Sequence, residues 1–157
     1  MKSQLSKLTP SNQSPEYVHL HHNDFRSQIP ESWFQIPRAR YLDFSENNFI
    51  GTIPTLLNSS LIQFLYLNNN SLSGPLPETL PSSIVHAWFQ DNKLSGTIPP
   101  TFGLGCPKLK KLRIQENNVS GTLPIEICAL ENLTMLESDC LDIGSSFVAC
   151  NCCHTCF

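Results

Sequence analysis

At 157 residues with 40% hydrophobic content, the chain has the size and composition of one domain with a buried core. Its formal net charge of −3 supplies no basic face of the kind that nucleic-acid binding requires. No apolar run approaches the ~18 residues of a membrane-spanning helix.

Residues 1–14 carry Lys2 and Lys7 but no apolar stretch, so they do not read as a signal peptide. Leu5 and Leu8 fit the end of a preceding repeat, and the segment is either that or a disordered lead. From there a frame repeats. Asn23, Asn47, Asn70, Asn92 and Asn117 fall 24, 23, 22 and 25 residues apart. The fullest copy runs Ile62, Leu65, Leu67, Asn70, Leu72, Gly74, Leu76, Pro77. The copy around Asn47 supplies Ala39, Leu42, Phe44, Phe49, Gly51, Ile53 and Pro54. The copy around Asn92 supplies Ile84, Ala87, Phe89, Leu94, Gly96, Ile98 and Pro99. The copy around Asn117 supplies Leu109, Leu112, Ile114, Val119, Gly121, Leu123 and Pro124. The first copy keeps Val18, Leu20, Phe25, Ile29 and Pro30 but has Ser27 in place of glycine. A sixth starts at Leu133 and Leu136 and breaks into cysteines.

A period of about 20–30 residues marks a solenoid, whose units bury their apolar faces against one another. Alternating residues such as Leu65 and Leu67 predict a short strand with one buried face. The asparagine amide can satisfy backbone groups left unpaired where the chain turns inward. The glycine permits a tight bend or positive φ. An apolar residue three positions after each proline (Trp33, Leu57, Leu80, Phe102, Ile127) is expected to close the core on a short helical turn. From proline to next strand the spacing varies from 7 to 10 residues, which places the tolerant convex surface there.

The motif Leu67-x-x-Asn70-x-Leu72-Ser73-Gly74-x-Leu76-Pro77, and its counterpart from Phe89 to Pro99, resembles the plant-type leucine-rich repeat over residues 15–137. The resemblance implies an α/β leucine-rich-repeat solenoid. This is a curved, right-handed horseshoe with a parallel sheet on its concave face and 3-10 turns and loops on its convex face. Such chains are typically ectodomains of receptor kinases and receptor-like proteins, or secreted polygalacturonase-inhibitor-like proteins. Leu133-x-x-Leu136-x-x-Asp139-Cys140 followed by Cys150-x-Cys152-Cys153-x-x-Cys156 makes the tail over 138–157 resemble the cysteine-rich terminal cap of algal, diatom-type repeat proteins.

Cys128, Cys140, Cys150, Cys152, Cys153 and Cys156 crowd the C-terminus and are expected to form disulfides. Their connectivity is not readable from sequence. A zinc site using Cys150, Cys152, Cys153, His154 and Cys156 is the less favoured reading, because the spacing lacks a separated second ligand pair. Cys106 stands apart as the expected free thiol. Asn12, Asn58, Asn69, Asn118 and Asn132 begin glycosylation sequons, the first weakened by Pro15. Disulfides and sequons suit an extracellular or cell-surface chain. No paired-cysteine cap precedes the first repeat. The chain therefore reads as the C-terminal part of a longer protein carrying the signal or anchor, with an intracellular chain starting at Met1 as the rival.

Strand alternation sends one set of side chains to the concave surface. One column is Tyr17, Tyr41, Phe64, His86 and Lys111. The next is His19, Asp43, Tyr66, Trp88 and Arg113. His21, Ser45, Asn68, Gln90 and Gln115 form a third. Contiguous exposed aromatics imply a partner, although aromatics that merely shield one another across strands would look the same. Lys110, Lys111 and Arg113 make the C-terminal end basic. His19, His21 and His22 near Asp43 and Glu46 permit a metal, but a histidine run on an open sheet is ordinary surface, so no metal or cofactor is assigned. No nucleophile motif, phosphate loop or His-Glu-x-x-His is present. The sequence reads as a non-catalytic monomer binding protein, peptide or carbohydrate on its concave face. Alternatives are a secreted inhibitor of a wall-degrading hydrolase and a structural spacer.

Overall fold

The computed structural model describes residues 15–55, 61–140 and 147–157. Asn12, Asn58, Leu5, Leu8 and Leu57 lie outside them. Each copy of the frame forms one short strand: β1 (Tyr17–His19), β2 (Tyr41–Asp43), β4 (Phe64–Tyr66), β6 (His86–Trp88), β8 (Lys111–Arg113) and β10 (Met135–Ser138). With β12 (Thr155–Cys156) they make a seven-stranded sheet in the order β1-β2-β4-β6-β8-β10-β12, every pair parallel. The register aligns Val18, Leu42, Leu65, Ala87, Leu112 and Leu136 in one buried row. Phe44, Leu67, Phe89 and Ile114 form a second. A fully buried side chain of this size contributes about 1.5–3 kcal/mol, and no single strand could bury one alone.

The asparagines join the turns. Asn70 donates its amide to the carbonyls of Phe44 (3.0 Å), Leu67 (3.1 Å) and Asn68 (3.1 Å), while its Oδ1 accepts the Phe49 N–H at 2.9 Å. Asn47, Asn92 and Asn117 repeat the pattern, with Oδ1 accepting from Phe25, Leu72 and Leu94. The residue before each ladder asparagine is left-handed: His22, Glu46, Asn69, Asp91 and Glu116 all have φ of 53–56°. That conformation costs of order 1–3 kcal/mol for a non-glycine residue. It aims each N–H at the next turn, as in Asn69 N–H to the Gln90 carbonyl at 3.1 Å. Gly51, Gly74, Gly96 and Gly121 have φ of 79–99°, the expected positive-φ bend.

A second sheet was not expected. β3 (Ile50–Gly51), β5 (Ser71–Gly74), β7 (Lys93–Thr97), β9 (Asn118–Thr122) and β11 (Val148–Ala149) stack in parallel beyond the asparagines. At most one residue per strand, such as Leu72 or Leu94, is buried there, and none in β3. Pairing comes from the backbone of successive turns, so the sequence shows no alternation to read. On the convex side, the 3-10 turn Glu31–Trp33 leaves Trp33 half-buried and edge-on to Phe44, at 6.2 Å between ring centroids. Phe34, one residue later, takes the inward place expected of Trp33. Leu80, Phe102 and Ile127 are buried, the last on helix α1 (Ile125–Cys128).

The cap continues both sheets. The division at residue 137 falls inside β10, which pairs with β8 on one side and β12 on the other, while β11 extends the second sheet. Asp139 stands in for the missing next turn: its carboxylate accepts the N–H of Glu116 at 2.8 Å and of Asn117 at 3.2 Å. Disulfides join Cys128 to Cys152, Cys140 to Cys156, and Cys150 to Cys153. All the tail cysteines are thereby used, leaving no thiolate for zinc. Cys106 is free and buried, and burial pushes its thiol up to about 11. Among the described residues, no helix is long and apolar enough to cross a membrane.

Asn70→Ala removes four hydrogen bonds at the centre of the solenoid. At ~1–3 kcal/mol per buried group left unpaired, urea denaturation should register a loss of at least ~2 kcal/mol. Asn48→Ala, at an exposed side chain bonded to Asp24, should change stability by less than ~0.5 kcal/mol.

Candidate functional site

The parallel register lays side chains of like position into rows, with neighbouring strands about 4.8 Å apart. Along the first row Tyr17 pairs with Tyr41, Tyr41 with Phe64, Phe64 with His86 and His86 with Lys111. Along the second, His19 pairs with Asp43, Asp43 with Tyr66, Tyr66 with Trp88 and Trp88 with Arg113. The rings touch. Centroids lie 6.3 Å apart for Tyr17–Tyr41, 5.4 Å for Tyr41–Tyr66, 5.1 Å for Phe64–His86 and 4.6 Å for Tyr66–Trp88. Arg113 closes the strip, its guanidinium 4.7 Å from the Trp88 ring centroid. The result is one aromatic surface running from β1 to β8.

Two of its phenols are hydrogen-bonded within the strip. The Tyr66 hydroxyl and His86 Nδ1 share a hydrogen bond at 3.0 Å. Burial pushes the Tyr66 phenol up to about 12, with the charges of Tyr41 and Asp43 adding to it. Burial and then Asp43 raise the Tyr41 phenol as well. Burial, and after it Lys111 and Lys110, hold His86 below its ordinary value of 6.5. Both phenols are therefore protonated at neutral pH and His86 is favoured neutral, so this part of the strip is aromatic and hydrogen-bonding rather than charged.

Two expectations are corrected. Asp43 was placed on the solvated face, but it is only 7% exposed. The Tyr41 hydroxyl donates to its Oδ2 at 3.3 Å, and Ser45 donates from both Oγ (2.6 Å) and N (3.1 Å) to its Oδ1. Most of the third column is also buried: Ser45, Asn68, Gln90 and Gln115 are each 6–8% exposed, whereas His21 is exposed. The basic end is smaller than its residue count, since Arg113 Nε lies 2.9 Å from a Glu137 carboxylate oxygen. No sequence signal marks that pair, because Glu137 belongs to the broken sixth repeat. The histidines separate. His22 turns to Glu46 (Nδ1–Oε2 2.8 Å), while His21 lies 3.5 Å from Asp43 and His19 packs on Tyr41 at 4.7 Å.

Asn69, Asn118 and Asn132 are exposed. Asn69 sits at a left-handed turn beside the concave sheet, and Asn118 on the second sheet. Asn132 donates to the Pro107 carbonyl at 3.0 Å. On the side of the second sheet, next to the cap, Ile98, Leu123, Pro124, Ile125 and Asn151 line a separate open depression of about 720 Å³.

Residues 38–60, 61–83 and 108–130 match the family model described as Leucine Rich Repeat. The chain is built of leucine-rich repeats. Receptor-like protein 18 of Arabidopsis thaliana is 31% identical over 125 residues, a match covering 77% of this chain and 15% of that protein. The ectodomain of the Arabidopsis thaliana receptor kinase GASSHO1/SCHENGEN3, solved with Casparian strip integrity factor 2, superposes with a TM-score of 0.72 at 31% identity, covering 78% of this chain and 15% of that one. The plant peptide hormone receptor RGFR1, solved with RGF2, superposes with a TM-score of 0.67 at 32% identity, covering 84% and 20%. The repeats thus resemble plant receptor ectodomains, of which this chain spans a small part.

A lowered imidazole pKa means that the unfolded chain takes up the His86 proton first, so its protonation costs stability as pH falls below about 6.5. In an NMR pH titration the His86 midpoint should lie below 6.5, and Lys111→Ala should raise it part of the way back, since burial is the larger cause. A midpoint at or above 6.5 would contradict the described packing.

Proposed function

We propose that the chain is a non-catalytic recognition module whose concave aromatic strip binds an extended peptide. The observation that carries this reading is the unbroken run of ring contacts from Tyr17 to Trp88, closed by Arg113. Rigid aromatics beside an arginine have the makeup of an interface hot spot. The width suits a single extended chain, because the strip is two side-chain columns across and crosses the strands. Complexes of two similar ectodomains with Casparian strip integrity factor 2 and RGF2 support a peptide over a glycan. The cap's disulfides support placement outside the cell, in an oxidising compartment.

Peptides selected for binding from a displayed random library provide the test. Tyr66→Ala combined with Trp88→Ala should weaken the selected peptides at least tenfold in biolayer interferometry, a loss of ~1.4 kcal/mol or more. Ile125→Ala, at an exposed residue beside the separate depression, should leave them unchanged. Undiminished binding by the double variant would remove the concave assignment.

A further inference from the structure

The N-terminal end of the concave sheet, at the margin of the aromatic strip, holds a cluster of ligating side chains. We propose that His19, His21 and Asp43 form a binding site for a divalent cation of the zinc class.

His19 ends β1 and His21 follows two residues later, with ring centroids 6.2 Å apart. The register sets Asp43 of β2 directly beside His19. One ligand atom from each residue lies within 4.8 Å of the other two. Zinc bonds of about 2.0–2.2 Å require tetrahedral ligands to lie about 3.3–3.5 Å apart. His21 Nδ1 and Asp43 Oδ2 already meet this at 3.5 Å. His19 is exposed, so a side-chain rotation can bring its ring nitrogen in.

The carboxylate is the second and independent sign. Asp43 is buried, and its only ion-pair partner among the described residues is His21, which is charged only when protonated. A buried carboxylate without a permanent counter-charge is costly, and a bound cation would offset that cost. Ser45 holds Oδ1 with two hydrogen bonds, and Oδ2, which also accepts from the Tyr41 hydroxyl at 3.3 Å, lies on the histidine side. Such outer contacts orient a metal-binding carboxylate. Two imidazoles and one carboxylate are ligands suited to zinc, and they leave a fourth position open for water or an incoming carboxylate or imidazole. His22 is not a ligand, because its left-handed backbone turns it to Glu46. From sequence the three histidines read as ordinary surface. The burial of Asp43 is what separates two of them from the third. This inference does not depend on the peptide reading.

The test uses the chain with its disulfides intact, titrated with zinc by calorimetry and with cobalt(II) by visible absorption in a non-chelating buffer. One equivalent should bind, with a dissociation constant in the micromolar range or tighter. His19→Ala and His21→Ala should each weaken binding at least tenfold, and His22→Ala should leave it unchanged. Both affected histidines are exposed, so circular dichroism should show these variants folded. Asp43→Asn, checked the same way, should also lose the site. Binding only at millimolar metal, or binding that survives the combined His19→Ala and His21→Ala change, would overturn the proposal.

Discussion

The asparagine amide is the interaction on which the rest of the structure depends. A solenoid turn leaves carbonyls pointing inward where the strand ends, in a place partly shielded from water. One amide group ties two carbonyls of its own turn to one of the preceding turn, and its oxygen takes an N–H of that preceding turn. Each asparagine is therefore both the closure of a turn and the link between neighbours. Buried backbone groups left unpaired would cost more than the burial of a leucine or two supplies. The bonding also supports the left-handed residue before each asparagine, a conformation that Glu46 and Glu116 would not favour alone. Where the ladder ends, Asp139 supplies the acceptors that a further turn would have given.

The strip follows from that regularity. Turns locked at one spacing put equivalent side chains side by side, so aromatics chosen at two positions per repeat merge into a surface. The same crowding buries the phenols and keeps them protonated. It also covers Asp43, which becomes a carboxylate held among rings and hydroxyls rather than a charge offered to solvent. At the other end Glu137 takes up Arg113 and trims the positive charge. Lys110 and Lys111 remain as the charges that depress His86.

The repeat positions were legible because burial and turn chemistry recur: Leu42, Leu65 and Leu112 sit in one row, and Asn47, Asn70, Asn92 and Asn117 make equivalent bonds. The concave columns followed from strand alternation. Three kinds of feature were not legible. The second sheet is made of backbone pairing between turns, with at most one buried residue per strand, such as Leu94, so it leaves no pattern. The burial of Asp43, flanked in register by His19 and Tyr66, depends on neighbouring repeats, which alternation within one strand does not register. Pairing in the cap, Cys128 with Cys152 above all, depends on how the tail folds back over α1. The exchange of Trp33 for Phe34 is a one-residue shift within a single 3-10 turn, below what spacing can distinguish.

Native-state hydrogen exchange tests the central role of the asparagines most directly. The amides of Phe49, Leu72 and Leu94 donate to side-chain oxygens of Asn70, Asn92 and Asn117. If those bonds hold the turns together, the three amides should exchange only through global unfolding, as slowly as the sheet amides of Leu67 and Phe89. Exchange at the rate of exposed loop amides, with the sheet still protected, would show that the turns are held by core packing alone and would contradict the account.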